Sequence, residues 1–147
     1  MVMCLPRTLH LLFLCAIVGA APLSLQAGTE MDRAFGRLER DYKKLKTALE
    51  APVDADRDLY LKRADEMLVE ARRAREMEPE LMANLPETER AQFLERFRSD
   101  MDVFIADIEK LEDALKNLRW EEAKQLMETL WQDKKAGHKA FIKRKDK

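Results

Sequence analysis

The chain of 147 residues contains only two cysteines, four glycines and two histidines. Each scarcity excludes something. Both cysteines, Cys4 and Cys15, fall within the first 27 residues, and so does His10. That segment reads as a secretory signal. Arg7 supplies a positive start, Leu9 to Ala21 form a short apolar run, Pro22 breaks it, and Ala27 offers a small residue before a cut. The run is too short to span a bilayer comfortably, so no stable membrane insertion is expected after cleavage. A chain cut there has no cysteine left, hence no disulfide, thiolate nucleophile or cysteine-ligated zinc. Its remaining domain, residues 28–147, must hold together by packing alone, and a domain of that length can do so.

Net charge is also lacking. Acids and bases nearly cancel, at −1 for the whole chain. Loss of Arg7 with the leader makes it −2, which is not the footprint of a nucleic-acid binder. Beyond residue 27 there is one histidine, His138, and one serine, Ser99. A hydrolase built on them needs an orienting third group and an oxyanion hole. Nothing in the pattern signals either, so no enzyme is expected. The Glu-x-x-His pairs of a di-iron bundle are absent as well.

Alternation of strand type is missing throughout. What the chain does have is charged residues, alanine, leucine and methionine, a helix-forming mixture. Four segments carry an apolar stripe at helical spacing. The first, about 30–50, places Met31, Phe35, Leu38, Tyr42, Leu45 and Leu49 at steps of three and four. Pro52 ends it, and Asp54 is positioned to cap the next helix. The second, about 55–78, carries Tyr60, Ala64, Met67, Ala71 and Ala74. The third, about 87–116, carries Phe93 through Leu115, the longest stripe. The fourth starts near Trp120 and runs through Ala123, Met127, Leu130, Lys134 and His138 to Phe141. Four amphipathic helices with short connections predict an all-α, antiparallel, up-down-up-down four-helix bundle. In that topology the start of the first helix and the end of the fourth share one end. His138 is then expected to face Met31 or Phe35, with Phe97 and Met101 nearby.

The stretch "FRSDMDVFIADIEKLEDALKNLRWEEAKQLMETLWQDKKAGHKAF" resembles the cytochrome b562 family, periplasmic four-helix bundles that bind one non-covalent haem b. The likeness is close from Phe97 to His138 and looser in the first half. It implies that His138 holds the place of the family's histidine ligand to haem iron, and that Phe97 and Met101 line the haem pocket. It implies a periplasmic electron carrier with an unidentified redox partner. Phe104 and Leu130 are further candidates to shield the macrocycle. One departure stands out. When "FGRLERDYKKLKTAL" is set on the family's first helix, Phe35 occupies the place of the second ligand, a methionine. Met31 lies one turn earlier, about 6 Å along the axis, and is the expected sulfur donor, ahead of Met101. The alternative implied by Phe35 is a haem-free helical-bundle interaction protein of the same family.

Overall fold

A computed structural model describes residues 24–141 as four helices and two short connecting turns. The helices are α1 (Ser24–Ala48), α2 (Arg57–Arg75), α3 (Glu87–Lys116) and α4 (Trp120–Phe141). Single 3₁₀ turns at Asp54–Asp56 and Glu80–Asn84 join the first pair and the second pair. The expected leader, residues 1–27, lies outside the described residues as far as position 23. The expected cut after Ala27 falls in the first turn of α1. Among the described residues, no helix is long and apolar enough to cross a membrane.

Polar contacts between helices fix the directions. Glu30, Arg37 and Asp41 of α1 pair with Arg73, Glu70 and Arg63 of α2, so one number rises as the other falls. Arg72 and Arg75 of α2 meet Glu109 and Asp102 of α3 in the same reversed order. Glu39 and Tyr42 of α1 meet Lys134 and Met127 of α4. Each neighbour therefore runs antiparallel to the next, and α4 returns beside α1.

The core follows the apolar stripes. Leu45, Met67, Ile108, Leu111, Leu115 and Met127 are among the most buried side chains. In α2 the core positions Ala64, Ala71 and Ala74 are small and fully buried, which lets α1 and α3 close tightly on that helix. The α1–α4 seam is the loosest of the four neighbouring pairs. It is held by the Tyr42 hydroxyl, which donates to the Met127 carbonyl at 2.9 Å, and by the Tyr42 ring stacked on Trp131.

Five sequence expectations need correction. The first helix begins at Ser24 rather than near Glu30. Its innermost stripe uses Ala34 where Phe35 was expected, and Phe35 is half-buried at the seam. The second helix is shorter than expected, because the chain first makes a 3₁₀ turn. Asp54 does not cap it; its carboxylate accepts the Trp120 indole N–H at 3.0 Å instead. Lys134 and His138 do not continue the buried stripe of α4: Lys134 is half-buried, His138 is exposed, and burial resumes at Phe141. A charged ammonium and a polar ring gain more from the seam's edge than from the centre.

The turn between α3 and α4 carries a specific strain. Arg119 N–H donates to the Ala114 carbonyl and Leu118 N–H to that of Leu115, the two bonds of a Schellman motif. Leu118 thereby adopts a left-handed φ of 57°, a position that favours glycine. Its side chain is partly exposed and adds little packing. Leu118→Gly should therefore raise unfolding free energy by about 0.5–1 kcal/mol, the left-handed penalty less the extra entropy of an unfolded glycine. Urea denaturation measures this; a loss of stability would show that the Leu118 side chain matters more than its backbone.

Candidate functional site

Because α1 and α4 stand apart near the end of the bundle, a cleft of about 270 Å³ opens between them with α3 as its back wall. Met31 and Phe35 reach it from α1, Phe97 and Met101 from α3, and His138 from α4. All five residues singled out from the sequence thus line one cleft. They differ in depth. Met31, Phe97 and Met101 are buried, at 4, 3 and 7 % exposure. Phe35 is half-buried and His138 sits at the rim. Phe104 also lines the cleft. Leu130 is buried but belongs to the core below. Phe141 closes one end, with its ring edge-on to Phe93 and Phe97 at 5.3 Å each.

His138 is neither free in solvent nor inside the core. Its ring lies 6.4 Å, centre to centre, from that of Phe35, tilted by 48°. Loss of water on that side lowers the imidazole pKa, and the nearby Lys134 ammonium lowers it further, against a smaller opposing pull from Glu39. The neutral imidazole is therefore favoured, the form with a lone pair to donate. Lys134 itself is engaged: its ammonium pairs with Glu39 at 3.1 Å and lies 4.9 Å from the centre of the Trp131 ring.

Three acids at the cleft were not anticipated: Glu39, which pairs with Lys134, and two others. Asp100 and Asp133 both line it. Asp133 Oδ2 is buried and has no hydrogen-bond partner. Burial raises the Asp133 pKa, and the carboxylates of Asp107 and Asp100 raise it further. In the sequence Asp133 stands in "WQDKK", where an acid next to two lysines reads as part of a solvated face, so no pattern marked it. The folded state holds the Asp133 proton more tightly than the unfolded chain does. Its contribution to stability is complete below the unfolded carboxylate pKa and is lost as pH rises through the folded value. Asp133→Asn should accordingly raise the melting temperature at pH 7, by up to about 1 kcal/mol equivalent for a part-exposed group. The gain should vanish near pH 3; a gain of equal size at both values would rule out the charge as its cause.

The neutral donors available to a ligand are one imidazole nitrogen and two thioethers, beside the carboxylates of Glu39, Asp100 and Asp133 and among apolar walls. Among the described residues, no three of histidine, cysteine, aspartate and glutamate gather as a metal-binding group. A cofactor that brings most of its own ligands is the kind that this set suits. A b-type haem does so, needing only axial donors and apolar cover from the protein. The cleft as it stands is slightly below the usual range of about 300–1,000 Å³ for ligand pockets, so a macrocycle would have to widen the loose α1–α4 seam. Phe35, packed on His138, is the side chain in the way. Searches with the chain return no matching family model, no matching curated protein and no matching solved structure.

Proposed function

We propose that the protein is an exported haem b-binding four-helix bundle with an electron-transfer role, of the cytochrome b562 kind, working in the periplasm. The observation that carries this reading is the meeting of His138, Met31, Phe97 and Met101 on one cleft. The resemblance assigns His138, Phe97 and Met101 to the haem site, Met31 is the thioether one turn from the family's second ligand position, and the four come from three different helices.

His138 would hold the iron through its neutral imidazole nitrogen. Met31, a buried thioether contributed by α1, would supply the second donor. Phe97, Met101 and Phe104 would exclude water and keep the surroundings apolar, which favours the lower net charge at iron. When bound, haem supplies a one-electron iron couple, the chemistry that this chain's own side chains lack. The redox partner has no counterpart in the sequence or in the cleft.

Phe35 favours a second reading, the haem-free interaction bundle. Its ring fills the space in front of His138, and a phenylalanine has no lone pair to give. Titration of the purified protein with haem separates the two. A saturable shift of the haem absorption band at one haem per chain, with a rise in melting temperature by linkage, is expected for the first reading. No saturable uptake and no change in melting temperature would replace it by the second.

A further inference from the structure

We infer that the cleft between α1, α3 and α4 binds an apolar organic cation, an amine carried on an aromatic or aliphatic body, with Asp133 and Asp100 supplying the counter-charge. This goes beyond the haem reading and does not rest on it. It stands on the charges, the walls and the size of the cleft.

The charged residues lining the cleft are Glu39, Asp100, Asp133 and Lys134. Lys134 is already paired with Glu39. The two remaining carboxylates have no ion-pair partner among the described residues. The nearest other acid, Asp107, has its own cation in Lys110 at 2.7 Å. Asp133 is the more exposed to cost, because Oδ2 is buried with no donor facing it. The side chain as a whole is part-exposed, but a carboxylate with one oxygen shut off from water and from any donor is under-solvated and favours a counter-charge. A cation in the cleft is attracted by the Asp133 and Asp100 carboxylates that line it, whereas an anion meets two negative groups.

The walls select the rest of the ligand. Phe35, Phe97, Phe104 and Phe141 present aromatic rings to the same space. Ring faces attract an ammonium group, more strongly when water is excluded, and they bury an apolar body equally well. A volume of about 270 Å³ suits a small organic molecule rather than a peptide. An inorganic cation lacks the apolar surface to use these walls, and the described residues offer it no converging set of three acid, cysteine or histidine ligands.

The test is calorimetric titration at pH 7 with three probes that share one apolar body: 1-naphthylmethylamine, 1-naphthylmethanol and 1-naphthylacetate. The amine should bind about tenfold or more tighter than the alcohol, the scale of one charge-assisted contact, and the acetate should bind weakest. Asp133→Asn should bring the amine down to the affinity of the alcohol while leaving the alcohol unchanged. Asp100→Asn, at an exposed position where folding is not at stake, should reduce the amine preference in part. The inference is overturned if no probe binds, if the acetate binds as well as the amine, or if both variants keep the amine preference intact. Haem titration of the same samples is read separately: an amine preference without haem uptake refutes the haem reading and leaves this one standing.

Discussion

Replacing His138 by alanine should abolish the saturable haem absorption shift, or reduce haem affinity by at least about tenfold if apolar contacts alone retain it. The substitution deletes the only imidazole among the described residues. It removes little packing, since the ring is exposed apart from its contact with Phe35. Stability should change little at pH 7, as for surface substitutions in general. A second readout comes from acid titration. The folded-state pKa of His138 is lowered, so below about pH 6.5 the unfolded chain takes up this proton more readily than the folded one. The folded protein therefore loses stability as pH falls through that range, and the variant should lose less of it. An unchanged haem spectrum in His138→Ala would exclude this residue as the iron ligand even if haem is bound.

Phe35→Met should turn weak or single-ligand haem binding into tight, six-coordinate, low-spin binding. The exchange acts twice. It takes away the ring that packs on His138 and blocks the cleft, and it puts a flexible thioether in its place, where the resemblance sets the second ligand. A half-buried, roughly volume-conserving change of this kind costs less than about 1.5 kcal/mol, so the effect on haem is separable from folding. Removing the ring also returns water to His138, and its pKa should rise toward the ordinary value. That shift, followed by NMR titration without haem, checks that the Phe35 contact causes the desolvation. If the parent protein already shows histidine–methionine ligation, Met31 reaches the iron and Phe35 is only a wall. If the variant takes no more haem than the parent, the cleft itself excludes the macrocycle.

Most of the fold was legible because its signals are local and repeated. The spans of α3 and α4 were expected where they are found, because a proline before Glu87 and the "KNLR" turn mark their limits. The five positions named for α2 are all buried, and Leu68, which was not named, is a sixth. What failed were choices between adjacent residues on a helix. Ala34 and Phe35 are both apolar and one step apart, and only the packing of α1 on α2 decides that the small one goes innermost. His138 was expected inward by periodicity, but spacing does not tell the centre of a stripe from its edge. The site was legible as a set of residues and not as an environment. The chain order brings Met31, Phe97 and His138 to one end of any antiparallel bundle. The isolation of Asp133 depends on which cations do not reach it, and no sequence pattern carries that. Asp41 shows the other side of the same point: it is nearly as buried as the core leucines, yet Arg63 from another helix meets it at 2.9 Å.

The small residues of α2 have a kinetic consequence. With Ala64, Ala71 and Ala74 drawing α1 and α3 inward, those three helices form the firm part of the molecule, and the fourth is fastened unevenly. Near Met127 it is anchored by the buried Tyr42 hydroxyl. Past Lys134 it is anchored mainly by Phe141. Local opening takes place where buried contacts are fewest, so amide protons of α4 should exchange slowly around Met127 and progressively faster toward His138. Widening of the cleft then requires only the last turns of one helix to swing away from α1. The time a guest spends inside would be set by that fraying and not by unfolding of the bundle, and exchange protection at those turns should lengthen once the cleft is filled.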